Sequence, residues 1–192
     1  MNLKELRDIY LRNRQDLESE FITLKESGVF LESHTRLLDE LVRAVAAPYL
    51  EELDFSVIAI GGYGRGEMLP HSDVDLLIVH DCPDSGTIQK KAAPLVTTLW
   101  DLISDVGHQV WSFGELEKLD IDKHYEFVLA LRDGRYVAGD REMASRVMEV
   151  VFPSLFHGHK SFFIDIIHSE VNKRFARQKY TIFQLEPDVK ES

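Results

Sequence analysis

The sequence holds one cysteine, Cys82, in 192 residues. A single thiol excludes an intrachain disulfide, and its scarcity suits a reducing, cytoplasmic setting. Long apolar runs are missing too. No stretch approaches the ~18 apolar residues of a membrane-spanning helix. The opening MNLKELRDIYLRNRQ is charged where a secretory leader would be apolar. The expectation is a chain with no membrane partner. Positive charge is in short supply: 22 Lys and Arg face 33 Asp and Glu, a formal net charge of −11. Such a surface repels phosphate backbones and argues against broad nucleic-acid binding. It leaves room for a small nucleotide whose charge is carried by metal ions. Internal repeats, low-complexity tracts and Pro/Ser-rich linkers are also absent. What is there is 44% hydrophobic residues, enough for a proper core. The length implies one domain, or one domain with a helical appendage.

Periodicity divides the chain. Residues 3–27 read as a long charged helix ended by Gly28. Residues 31–53 read as a second helix, with Leu38, Leu41, Val42 and Val45 at helical spacing. Both are assigned to helical packing or an interaction surface, and residues 1–50 are set apart as a helical segment from a domain over 51–192. Phe55–Ile60 is short, rich in β-branched residues and ended by Gly-Gly, which predicts a strand. Asp73–His80 predicts a second strand and 107–113 a third. Helices are expected over 88–104, with Pro94 in the first turns, and over 122–134, 141–150 and 159–180. A short extended piece spans 135–140, and 181–189 reads as a last strand. Strands alternate with helices at irregular spacing. That predicts an α/β (α+β) domain with a small mixed sheet flanked by helices, not a regular βαβ series.

The stretch IGGYGRGEMLPHSDVDLLIVH carries the chemistry. Alternate strand residues share a face, so Asp73 and Asp75 point the same way, their Cα atoms ~6.6 Å apart. Val74, Leu76 and Ile78 point into the core. Two ionised carboxylates this close repel unless a cation lies between them. Mg²⁺ suits such hard oxygen ligands and keeps positions open for phosphate oxygens. A bare Asp-x-Asp also reads as a solvated strand start, with Ser72-Asp73 as a turn. Gly61 and Gly62 directly after a strand let backbone N–H groups approach phosphate oxygens. Arg65 and Ser72 can add donors, Arg being the better phosphate clamp. No Gly-Lys-Ser/Thr follows, so this is not a Walker loop. GGYGRG is not a dinucleotide fingerprint either, since a proline and an acidic strand follow in place of a long helix.

Gly-Gly, ten residues, then Asp-hydrophobic-Asp-hydrophobic resembles the DNA-polymerase-β-like nucleotidyltransferase superfamily. The longer string GGYGRGEMLPHSDVDLLIV more specifically resembles the bacterial PII uridylyltransferase/uridylyl-removing family, as do LWDLISDVGHQV and QLEPDVKES. The resemblance spans about Val57 to Ser192. It implies that UTP binds with its phosphates near Gly61, Gly62 and Arg65. It implies two Mg²⁺ ions, with Mn²⁺ as an alternative, held by Asp73, Asp75 and a third carboxylate. UMP would pass to a tyrosine hydroxyl of the nitrogen-regulatory PII protein. In the superfamily the third carboxylate comes from a later strand beside the Asp-x-Asp strand. The late acids are Glu186 and Asp188, which share a face in an extended chain; Pro187 between them favours a sheet edge. Glu186, continuing the apolar strand directly, is the favoured third catalytic carboxylate, with Asp188 as the other candidate metal ligand. Family members are far longer, with hydrolase and sensor domains, so the chain reads as a fragment holding the transferase domain. Two rival readings stand: a relative using another nucleotide or acceptor, and an inactive partner-binding domain. His157 and His159 read as a polar loop rather than a metal site, and Glu67 and Asp133 as ion-pair partners rather than ligands.

Overall fold

The computed structural model describes residues 3–24, 26–50, 54–82, 85–103 and 105–177. Two long helices open it, α1 (Leu3–Leu24) and α2 (Ser27–Leu50). Then come β1 (Phe55–Ala59), the short α3 (Gly61–Arg65), β2 (Val74–His80), α4 (Ser85–Leu102) and β3 (Val106–Ser112). The short α5 (Phe113–Leu116), α6 (Ile121–Leu131) and β4 (Arg135–Gly139) follow. Last are α7 (Arg141–Arg146), a π-helical turn (Val147–Val151), α8 (Phe152–His157) and α9 (Lys160–Arg177).

The four strands form one mixed sheet in the order β3-β2-β1-β4. β1 runs antiparallel to β2 and β4, while β2 and β3 are parallel, joined through α4. Helices cover both faces, as the irregular alternation predicts. On one face Val74, Leu76 and Ile78 pack with Leu38, Leu41 and Val42 of α2 and with Leu95 and Leu99 of α4. On the other, Ile58, Leu77 and Val79 pack with Phe127, Val128 and Leu131 of α6 and with Val147 and Phe163. Asp73, Asp75, Leu77 and Val79 therefore lie on one side of the extended chain, acidic at its start and apolar at its end. The acids sit where the second apolar layer gives out.

Several boundaries differ from expectation, each for a local reason. α2 begins at Ser27, so Gly28 lies in its first turn, where an added Cβ would meet nothing within 4 Å. α4 starts at Ser85, a turn earlier than its apolar spacing suggests, and this leaves Pro94 in mid-helix. The helix expected over 141–150 continues through the π-helical turn into α8, placing His157 at a helix end. The expected strand over 181–189, with Glu186 and Asp188, lies outside the described residues.

Candidate functional site

Asp73 is exposed just ahead of β2, and Asp75 is half-buried on its second residue. The strand start is pinned on both sides. The N–H of Ile60 donates to the Asp75 carbonyl (3.1 Å), and the N–H of Val74 donates to the Asp105 carbonyl (2.9 Å). Ser72 closes the preceding turn: its N–H donates to the Leu69 carbonyl and its Oγ accepts from the Leu69 N–H, both at 3.1 Å. Its hydroxyl thus shapes the approach to Asp73.

Two glycines frame the Asp75 carboxylate. Gly61 has φ +58°, a left-handed conformation that favours glycine. A Cβ there would lie 3.7 Å from Asp75 Oδ2 and 3.9 Å from Ala130 Cβ. Gly107 stands opposite Asp75 in the parallel pairing of β2 and β3. A Cβ at Gly107 would collide with Asp75 Oδ1. Gly107 is thus the space in which that carboxylate sits. Sequence reasoning passed over it, since the strand was expected to begin at this residue; β3 begins at Val106 and so places the glycine inside the strand, where it marks a close approach. Gly62 differs again: its Cβ direction is open, with only Arg65 Nη2 at 3.9 Å.

The glycine stretch is helical. α3 runs over Gly61–Arg65 and is closed by Gly66 at φ +75°. Its first-turn N–H groups have no acceptor within the helix. Arg65 does not point alone into solvent: its Nε donates to Glu67 (2.7 Å) and its Nη1 to Asp133 (2.9 Å). These two bonds hold its pKa above the ordinary guanidinium range. Glu67 and Asp133 are ion-pair partners, as the sequence suggests. Burial works against the Asp133 charge, but Arg65 and Arg132 outweigh it and hold its pKa below the usual carboxylate range.

The strands beside β2 are β1 and β3, and neither carries an acid within it. Asp105 precedes β3 as Asp73 precedes β2. The donor set of Asp73 and Asp75 consists of hard carboxylates, which fits Mg²⁺, and nucleotidyltransferase domains generally use divalent metals. Among the described residues, no group of three or more His, Cys, Asp or Glu side chains forms a metal site. A metal held by these two aspartates would need a further ligand. His157 is exposed, and the His159 ring donates from Nδ1 to the Leu155 carbonyl (3.1 Å). His108, expected at the sheet end, lies within β3 edge-on to Trp100.

A small mixed sheet with two acids at one strand mouth, facing a glycine turn, defines a class. The family model described as nucleotidyltransferase domain matches residues 38–136, and the chain belongs to that family. Among curated proteins it is similar to the bifunctional uridylyltransferase/uridylyl-removing enzyme of Aliivibrio fischeri (strain MJ11), 36% identical over 71% of this chain and 16% of that protein. It is also similar to the proteins of the same name from Pseudomonas syringae pv. syringae (strain B728a) and Azotobacter vinelandii. Each is 30% identical, over 94% and 93% of this chain respectively and 20% of the relative. The chain thus spans about a fifth or less of the length of these relatives. No helix among the described residues is long and apolar enough to cross a membrane.

Proposed function

We propose that this chain is a Mg²⁺-dependent nucleotidyltransferase domain that moves UMP from UTP to a tyrosine hydroxyl of a PII-type signalling protein. The observation that carries the reading is the seat of Asp75, whose carboxylate lies between Gly61 and Gly107 with Asp73 one strand repeat away. The uridylyltransferase names of the relatives supply the nucleotide and the kind of transfer.

In this reading Asp73 and Asp75 hold the metal. When bound, the ions would lower the pKa of the attacking hydroxyl and neutralise charge on the triphosphate. The tyrosine oxygen attacks the α-phosphorus, a new P–O bond forms, and the bond to pyrophosphate breaks. The backbone at Gly61 and Gly62 receives phosphate oxygens, the open side of Gly62 admitting them. Arg65 clamps them by exchanging Asp133 and Glu67 for phosphate, a fork-to-oxyanion contact it is built to make. Ser72 fixes the turn that delivers Asp73. Glu186 is the favoured third carboxylate and proton acceptor, with Asp188 second. Asp105 is a third candidate, favoured by its place ahead of the strand that pairs with β2.

The test is incubation with PII protein, Mg²⁺ and labelled UTP, ATP, GTP or CTP in parallel. Label from UTP on a PII tyrosine, with pyrophosphate released, is the expected result. Label from another nucleotide corrects the donor. The absence of transfer and of metal-dependent nucleotide binding overturns the reading in favour of an inactive partner-binding domain. Amide variants of Glu186, Asp188 and Asp105 in the longer protein then assign the third acid.

A further inference from the structure

α2 carries an aspartate on its apolar face. Asp39 lies among Leu38, Leu41 and Val42, all buried, and is itself only 7% exposed. A carboxylate taken out of water needs partners of opposite charge and good geometry. Asp39 has them. Arg135, at the start of β4, donates from Nη1 to Oδ2 (2.6 Å) and from Nη2 to Oδ1 (3.0 Å). The Tyr63 hydroxyl donates to Oδ1 (2.8 Å), and Arg43 Nη2 to Oδ2 (3.3 Å). Burial opposes the charge of Arg135, but Asp39 outweighs it and raises the guanidinium pKa. Burial, and then Asp39, push the Tyr63 phenol well above its ordinary value, so it stays a donor.

The remaining donors of Arg135 reach the glycine turn itself. Its Nε donates to the Gly64 carbonyl and its Nη2 to the Tyr63 carbonyl, both at 3.3 Å. α2 adds two more grips. The Thr35 hydroxyl donates to the Gly66 carbonyl (2.9 Å), and His34 Nδ1 donates to the Met68 carbonyl (2.8 Å). Four carbonyls of the turn, at 63, 64, 66 and 68, are thus held by side chains from outside it. A glycine-rich helix of five residues has little stability of its own, because glycine is the costliest ordinary residue in a helix. Its placement against Asp75 comes from this ring of donors.

We propose that Asp39 and Arg135 form a positioning clamp that sets the glycine turn at its working distance from Asp75, and so sets the affinity for the nucleotide phosphates. The inference rests on the phosphate-binding reading of Gly61 and Gly62 given above. It gives α2 a part in nucleotide binding without contact to the nucleotide. The family match, residues 38–136, contains both ends of the clamp.

Two variants test it beside a control. Arg135→Lys keeps a charge for Asp39 but lacks the fork that also spans the Tyr63 and Gly64 carbonyls. Tyr63→Phe removes only the hydroxyl contact. Val45→Ala, in the same helix and the same core, lowers stability without touching the clamp. The readouts are the Kd for UTP, ATP, GTP and CTP with Mg²⁺, the Tm, and amide exchange at Gly64, Gly66 and Glu67. Arg135→Lys is expected to raise the nucleotide Kd roughly tenfold and speed exchange at those three amides, and Tyr63→Phe less, as befits one lost hydrogen bond. Val45→Ala is expected to match the loss of Tm with native Kd. Native Kd in Arg135→Lys, or a Kd that tracks Tm equally in Val45→Ala, overturns the clamp alone. A wild-type chain that binds none of the four nucleotides with Mg²⁺ overturns the clamp together with the phosphate-binding reading.

Discussion

The parallel pair β2–β3 has two ends, and both carry acids, a glycine and polar side chains. At the far end, Glu115 is committed to a capping box. Its carboxylate accepts from the Ser112 N–H (2.8 Å) and hydroxyl (2.7 Å), while Ser112 caps α5 in return. These bonds lower the Glu115 pKa. His80 is buried and accepts from the Cys82 N–H (3.2 Å). Gly114 has nothing within 4 Å of its Cβ direction. An open groove lies there, lined by Cys82, Trp111, Lys118 and His124, but its neighbouring acid serves the backbone. At the near end it is a glycine that is crowded. Gly107 is shaped around Asp75, and Gly61 takes a left-handed turn beside it. The two ends differ in what the surrounding backbone has given up. One end uses its acid to finish a helix; the other omits side chains to make room for an acid.

The largest effect that should separate the ends is charge removal. Asp73→Asn or Asp75→Asn is expected to cut nucleotidyl transfer by at least about 10²-fold, since on the proposed function each removes a charged metal ligand. The fold should survive, because neither acid is fully buried. Glu115→Gln is expected to leave turnover native and to cost about 1 kcal/mol or less of stability, the scale of a capping contact. Turnover assays with thermal unfolding on the three variants check this. Near-native turnover in either aspartate variant would show that the near end holds no metal through that residue.

The next effect comes from a methyl group. Gly107→Ala places a Cβ on Asp75 Oδ1, so the carboxylate must move. A displacement of that kind is expected to cost roughly 10- to 100-fold in turnover. Gly114→Ala, at the other end, should be neutral. Equal activity of both variants would mean that the seat of Asp75 tolerates movement and that Gly107 has no part in the site.

These residues also show what could be read from the chain. The alternation of β2 and the Asp-x-Asp pair are local in sequence or fixed by period, and they were legible; Glu67 and Asp133 were legible as ion-pair partners, but the shared partner, Arg65, is 68 residues from Asp133 and was read as a phosphate donor. The helical state of Gly61–Arg65 was not, because glycine argues against a helix and the donors that hold it come from residues 34, 35 and 135. Asp39 left a signal: a charged residue beside Leu38, Leu41 and Val42 on a buried stripe requires a partner. The partner, Arg135, is 96 residues away, beyond any periodicity. Gly107 opened the strand expected over 107–113, and its meaning depends on a parallel register that only the folded sheet supplies. Leu77 and Val79 were legible as strand residues, yet their burial needed the second helical layer.

The smallest effect concerns a histidine at each end. His34 donates from Nδ1 to the Met68 carbonyl, which leaves its buried Nε2 without a partner. His80 is its mirror, with Nδ1 accepting from the Cys82 N–H. Both rings are held neutral. Burial lowers the pKa of each below 6.5, and the charges that face them do not reverse this. Those charges are Arg14 and Glu18 at His34, and Glu115 and Asp81 at His80. A folded pKa below the unfolded one means that the unfolded chain binds the proton more readily. Stability from each ring is therefore complete above about pH 6.5 and is lost as pH falls through the depressed folded value, with a slope of at most about 1.4 kcal/mol per pH unit for each proton. Asp133 and Glu115 titrate below their ordinary 3.8 and 4.5, so the window from pH 7 to 5 belongs to the histidines. Chemical unfolding across that window should show stability falling with acid, and His34→Gln should flatten part of the slope, since an amide can donate to Met68 without titrating. The two ends part on a second measurement. Exchange at the Gly66 and Glu67 amides should quicken from pH 7 to 5, beyond the intrinsic rate, in wild type and much less in His34→Gln. Protection at Cys82 should be unaffected by that substitution. A pH slope unchanged in His34→Gln would place the titration at His80 or at His108, whose pKa burial also lowers, and leave the glycine turn insensitive to acid.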